Sequence, residues 1–221
     1  IILNPAGHAL LVGVGGSGKQ SLSRLSAFIC GYSVSQIPIS ATYSINDLKE
    51  DLKAMYSKAG LKDEGVMFLF TDSQITNERF LVYLNDLLAS GYIPDLYAED
   101  EIDEICNKVT PRVKELGIVP DRKPCFEFFL SEVRKNLHVI LCFSPVGEDL
   151  RIRATRFPAL VNSTVIDWFQ PWPKEALSSV AAKMLSNIDL PSEDVRMGIQ
   201  RFLPESFTNM NNAALRYKAT N

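Results

Sequence analysis

Two rhythms of apolar and polar positions alternate along this chain. Short β-branched or apolar runs give way to stretches with helical spacing, a succession that predicts βαβ units around a mostly parallel sheet. The first run, Ala9 to Val12, leads into a Gly-rich turn and a helix from about Gly18 to Ile29 that Gly31 can terminate. A second strand is expected between Val34 and Ile39. Ser44 with Asp47 three residues on reads as a capping box, opening a helix whose Leu48, Leu52 and Met55 share a face. Val66 to Phe70 lacks polar alternation, the mark of a strand buried on both faces, and is the best candidate for the central strand.

A helix from about Glu78 to Ala89 carries the stripe Phe80, Leu81, Leu84, Leu87 and Leu88. The acidic run Glu99 to Glu104 opens another, in which Pro111 is expected to kink or break the helix. Phe126 to Val133 reads as a helix and Leu137 to Phe143 as a second buried strand. After Ser144 and Pro145 come a short basic helix with Arg151, Arg153 and Arg156, and a fifth strand from Val165 to Phe169. Pro171 and Pro173 then interrupt ladder and helix alike. Beyond them the pattern is helical only: Lys174 to Leu185, about Glu193 to Phe202, and about Thr208 onward. The expected organisation is an α/β subdomain over 1–170, with a parallel five-stranded sheet flanked by helices, and the start of a small all-helical subdomain over 171–221.

Composition narrows the function classes. Hydrophobic residues are 46% and charged residues 22% of the 221, which excludes disorder and fibrous repeats. With 23 basic against 26 acidic residues and a net charge of −3, the surface is not built to neutralise nucleic-acid phosphates or to lie on an anionic membrane. Apolar runs such as Val66 to Phe70 fall far short of the roughly 18 residues of a membrane span, and no targeting segment opens the chain. Cys30, Cys106, Cys125 and Cys142 form no CxxC pair and read as reduced thiols of a cytosolic compartment. His8 and His138 lie far apart in the chain, which disfavours zinc. A start at Ile1 and a stop at Asn221 inside a helical pattern suggest a piece of something longer.

The strongest chemical signal is Gly13-Val14-Gly15-Gly16-Ser17-Gly18-Lys19, a GxxxxGK run between an expected strand and an expected helix. That context lets successive backbone N–H groups and a helix N-terminus wrap phosphates while Lys19 reaches the outer ones, so ATP or ADP is the expected ligand. The next residue should be a hydroxyl for Mg²⁺. Here it is Gln20, with Ser21 one step later and about 100° around the helix. The second acidic element should close a buried strand with Asp for the metal and Glu for the attacking water. This chain has Thr71 and Asp72 in that register, so any Mg²⁺ shell rests on Thr71 and Asp72, and Asp72 is the candidate catalytic acid. A side chain shorter by a methylene misplaces its carboxylate by about 1 Å, which can cost on the order of a hundredfold in rate. Binding without efficient hydrolysis is the expectation. Gln74 and Asn77, just after the acidic strand, either face the phosphates or cap the loop.

Four stretches carry a resemblance to a known family: Gly7 to Leu22, Phe68 to Ile75, Ser144 to Gly147, and Phe157 to Pro173. Together they resemble the fourth AAA+ module of dynein heavy chains of the axonemal type, and the likeness extends over nearly the whole chain. The resemblance implies an AAA+ P-loop NTPase fold, with Gly13 to Gln20 as the Walker A loop and Thr71-Asp72 as a degenerate Walker B end. It puts Ser144 at the sensor position usually held by asparagine. Ser163 falls near the place of an arginine finger, leaving Arg153 and Arg156 as candidates to act in trans on a neighbouring module. The lid's sensor arginine and the microtubule-binding stalk would follow Asn221. Implied partners are neighbouring AAA+ modules of the same heavy chain, microtubules through that stalk, and dynein intermediate and light chains, in the cytoplasm, cytoskeleton and ciliary axoneme.

Two readings of the site follow. Gln20, Thr71 and Ser144 each replace a residue that serves metal or water while the phosphate-cradling residues are kept, which suggests a module that holds nucleotide for structural or regulatory ends. The alternative is a self-sufficient ATPase in which Asp72 activates water and Ser21 aids the metal. A P-loop kinase is poorer, because the later segments offer a helical lid and no acceptor pocket.

Overall fold

The computed structural model describes the chain except Ile39, Ala41, Asn221 and the side chains of residues 218–220. Five strands, β1 (Ala9–Val12), β2 (Ser33–Ser35), β3 (Val66–Thr71), β4 (Leu137–Phe143) and β5 (Val165–Trp168), form one sheet in the order β2-β3-β4-β1-β5. All four pairings are parallel. Pleating divides the apolar runs between two cores. Leu10, Val12, Val66, Phe68, Phe70, Val139, Leu141 and Phe143 enter the larger one. Ala9, Leu11, Met67, Leu69, Ile140 and Cys142 enter the smaller.

The larger core is closed by α2 (Ile45–Tyr56), α3 (Phe80–Ser90), α4 (Glu99–Glu115) and α5 (Arg122–Asn136). The capping box of α2 is present, with Ser44 Oγ accepting from the Asp47 backbone and Asp47 reaching back to the Ser44 N–H. All five stripe residues of α3 are buried. On the smaller core α1 (Lys19–Cys30) buries only Ser23 and Ala27. Small residues at these positions let the helix approach the sheet, and its bulk faces outward: Phe28 is 82% exposed. Two short helices, α6 (Asp149–Arg156) and α7 (Ala159–Asn162), lie between β4 and β5.

Several expectations are corrected. The middle of the sheet is β4; the Val66 strand is interior but one place off centre. β2 stops at Ser35 because it pairs only with Val66 to Phe68, after which the Ile37 carbonyl turns to a side chain instead of a ladder. The expected end of that strand, Ile39, lies outside the described residues. α5 begins four residues earlier than its apolar pattern, since Pro124 is tolerated in a first turn. Pro111 does not break α4, which runs on to Glu115. One π-helical turn, Ser57–Leu61, follows α2 and seats Gly60 against Phe129.

Contacts divide the chain into two compact units, Ile1–Phe169 and Gln170–Asn221. The second holds α8 (Lys174–Leu185) and α9 (Glu193–Thr220), so the two later helices read from the sequence are one, continuous through Pro204. A proline removes one intrahelical bond, and the turns on either side hold the helix together. Among the described residues no helix is long and apolar enough to cross a membrane.

Candidate nucleotide-binding site

The chain enters the site where strand order reverses. β1 lies between β4 and β5, and in open parallel sheets ligands bind at such switch points, beyond the carboxyl ends of the strands. Residues 13–18 connect β1 to α1 there. Gly18 adopts φ 89° at the helix N-cap, a left-handed conformation open to glycine, and offers no capping side chain. No acidic residue occupies the first turn of α1, whereas α2 and α4 carry acids there. The N-terminal N–H groups of α1 therefore keep their capacity for an anion. A side chain at Gly13 would put Cβ 2.8 Å from Phe169 Cβ and 2.9 Å from Ser17 Oγ, so the loop is held tight at its start. Val14, Gly15 and Gly16 are exposed.

The Lys19 ammonium lies over this loop. It donates to the carbonyls of Gly13 at 2.6 Å and Val14 at 2.9 Å, and to Ser17 Oγ at 3.2 Å. All three of its protons are used, and a phosphate would compete with neutral acceptors for a cation already in position. Gln20 and Ser21 are exposed on the first turn of α1. Beneath the loop, Ser23 Oγ donates to the Lys19 carbonyl at 2.8 Å. Burial pushes the nearby Cys142 thiol up to about 11, which keeps it protonated.

The ends of β3 and β4 meet beside the loop, but their polar groups face one another. Thr71 is 3% exposed, and its hydroxyl lies 2.9 Å from Ser73 Oγ and 3.1 Å from Gln74 Oε1. Asp72 is engaged through both oxygens: Oδ1 accepts the Ser73 N–H at 2.9 Å and Oδ2 the Ser144 N–H at 2.9 Å. Ser144 Oγ accepts from the Val146 backbone at 3.3 Å, closing a turn on itself. With one carboxylate, one buried hydroxyl and Gln20 in place of a hydroxyl, these side chains do not by themselves fit a Mg²⁺ shell. Among the described residues no group of three His, Cys, Asp or Glu could hold a metal ion.

Arg153 is brought to this site from within its own chain. Its Nε and Nη2 donate to Glu78 Oε1 at 3.1 and 3.0 Å, and it lines a cavity of about 260 Å³ with Asp72, Ser144 and Asp149. Arg156 is exposed and lies 5.6 Å from the ring centre of Phe157. Sequence reading did not find Glu78 as the partner of Arg153, because 75 residues separate them. For Gln74 the loop-capping role holds, and Asn77 likewise accepts from the Arg79 backbone at 2.9 Å. The histidines, distant in the chain, are neighbours in space with ring centres 6.5 Å apart, joining residues 7–8 to β4.

The family described as P-loop containing dynein motor region D4 matches residues 1–220. The dynein alpha chain of the flagellar outer arm from Chlamydomonas reinhardtii is 52% identical over 218 residues, 99% of this chain and 5% of that protein. Dynein axonemal heavy chain 17 of Homo sapiens is 51% identical over 220 residues, 100% of this chain and 5% of that one. The ciliary dynein beta chain of Heliocidaris crassispina is 48% identical over 217 residues, again 5% of its length. The chain spans about one-twentieth of these relatives. Matched from end to end, and carrying its phosphate loop at the switch point of a five-stranded parallel sheet, the chain belongs to the dynein motor region D4 family of P-loop domains.

Proposed function

We propose that this chain is a nucleotide-binding AAA+ module of an axonemal dynein heavy chain, holding ATP or ADP on residues 13–21 and hydrolysing slowly or not at all. The observation that carries the reading is a contrast within one site. On the phosphate side the N-terminus of α1 is uncapped by any side chain and Lys19 is in position. On the water side Asp72 is bonded through both oxygens to backbone N–H groups. The bond to Ser144 holds the carboxylate between the ends of β3 and β4, and the two N–H groups together leave it fewer lone pairs for a proton from water. Any Mg²⁺ would arrive largely liganded by the nucleotide.

Residues 1–170 would serve as the large α/β subdomain and 171–221 as the beginning of the lid. Names of the relatives support a place in the flagellar or ciliary axoneme, and membership of a dynein motor family supports a role within an ATP-driven microtubule motor of the cytoskeleton. Its partners would be neighbouring AAA+ modules, microtubules through a stalk outside these residues, and intermediate and light chains. Arg153, paired in cis with Glu78, is the weaker candidate to act on a neighbouring module, and Arg156, free of an ion pair among the described contacts, the better one.

The test is nucleotide binding and turnover in the intact heavy chain with the other ring sites inactivated. Tight binding lost in Lys19→Ala, with little turnover before the substitution, is the expected result. Robust turnover abolished by Lys19→Ala would overturn the slow-hydrolysis reading.

A further inference from the structure

One buried side chain ties together the carboxyl ends of β2 and β3, next to the link from β3 to β4. Gln74 is 2% exposed, and both ends of its amide are in use. Oε1 accepts the Thr71 N–H at 2.8 Å and the Thr71 hydroxyl at 3.1 Å, closing the turn that carries Asp72. Nε2 donates to the carbonyl of Ile37, on the segment leading from β2 toward α2. Ile37 is itself 3% exposed. From the other side of the turn Asp72 accepts the Ser144 N–H.

We propose that Gln74 is a positioning residue of the nucleotide site, setting the orientation of Asp72 and the position of Ile37 jointly, so that a change at Asp72 on nucleotide binding is passed to the β2–α2 segment. This rests on the nucleotide-binding reading above. The physical ground is that a buried amide separated from a partner finds no water to replace it, so neither link yields alone. The residue type also matters. One end must accept and the other donate, over a reach that asparagine lacks, and an ionised glutamate would set an acceptor against the Ile37 carbonyl.

Hydrogen exchange of the intact protein, with and without ADP or a non-hydrolysable ATP analogue, tests this in peptides containing Lys19, Ile37 and Ser144. In the unsubstituted protein nucleotide should slow exchange in all three, by about tenfold near Ile37, the equivalent of one buried hydrogen bond. In Gln74→Ala the Lys19 peptide should stay protected while the Ile37 peptide ceases to respond. An Ile37 peptide that still responds in the variant, or never responds in the unsubstituted protein while the Lys19 peptide does, overturns the proposal. A Lys19 peptide indifferent to every nucleotide overturns the binding reading and this one with it. Gln74→Glu covers the case in which the alanine variant fails to fold. Protonated, it keeps a donor for Ile37 and should transmit the response; ionised, it should not, after correction for intrinsic exchange. An equal response below and above the pH at which the introduced carboxyl titrates, which burial raises, marks a residue that only fills space, and overturns the proposal.

Discussion

The backbone N–H of Ser144, at the end of β4, donates to Oδ2 of Asp72, at the end of β3, over 2.9 Å. A bond of this kind needs an acceptor oxygen, not a negative charge. Asp72→Asn keeps one acceptor oxygen, which can serve the Ser144 N–H only by giving up the Ser73 N–H. It should therefore cost about 1 kcal/mol of stability yet change any turnover by no more than about threefold, where loss of a true general base costs about a hundredfold or more. Asp72→Ala removes the acceptor and should destabilise the protein by about 1–2 kcal/mol in denaturant unfolding. A collapse of turnover in Asp72→Asn with binding intact would favour the self-sufficient ATPase.

Stability should fall in mild acid because of His8. Burial first, and then the neighbouring His138, lower its pKa from 6.5 to about 4. The folded protein keeps His8 neutral while the unfolded chain binds a proton below 6.5, so the unfolded state holds more protons across this window. The His8 contribution is complete above about 6.5 and is lost as pH falls toward 4, by about 3 kcal/mol. His138, also lowered by burial, acts in the same direction. Denaturant midpoints measured from pH 7 to pH 4 should show the decline. His8→Asn, which keeps an acceptor for the Val139 N–H, should flatten it.

Two phenylalanines mark the extremes of packing. Phe129 is 0% exposed among Tyr56, Tyr97 and Phe126, and its truncation to alanine should cost about 3–5 kcal/mol. Gly60→Ala attacks the same place from the other side, since the new Cβ would stand 2.4 Å from Phe129 Cε2. Overpacking there should cost about 1–3 kcal/mol. Phe28→Ser, on the outer face of α1, should stay within about 0.5 kcal/mol. A large loss at Phe28 would mean that its exposed face is already in use.

What could be read from the chain in advance was what lies close together in it. β1, β4 and α8 begin and end where their patterns do, because each is a single uninterrupted apolar or helical period. The phosphate loop is likewise local: its glycines and Lys19 act within seven residues. The partners of Asp72 and Arg153 were not legible, since Ser144 and Glu78 stand 72 and 75 residues away and neither pairing has a pattern. Proline interrupts neither of two long helices. In α4 and α9 a single missing N–H is outweighed by helix on both sides, and in α4 the buried face of Ile105, Cys106, Val109 and Val113 adds to it.

Metal removal gives the most direct reading of position 20. Gln20 stands, exposed, where the first helical turn would offer a hydroxyl to Mg²⁺, and Thr71 at the opposite wall has its hydroxyl committed to Gln74 and Ser73. With neither side chain free to hold the ion, chelating Mg²⁺ should weaken nucleotide binding by less than about threefold, under 1 kcal/mol. Gln20→Thr restores one ligand and nothing else. Its affinity should become dependent on Mg²⁺ by about tenfold, the worth of one well-placed contact to a charged group. Turnover should remain low, because the altered residue does not free Asp72 from the N–H groups of Ser73 and Ser144. Titration calorimetry with and without chelator separates the two proteins. Strong dependence on Mg²⁺ before the substitution would show that the ion finds its ligands elsewhere in the site, and would reopen Asp72 as one of them.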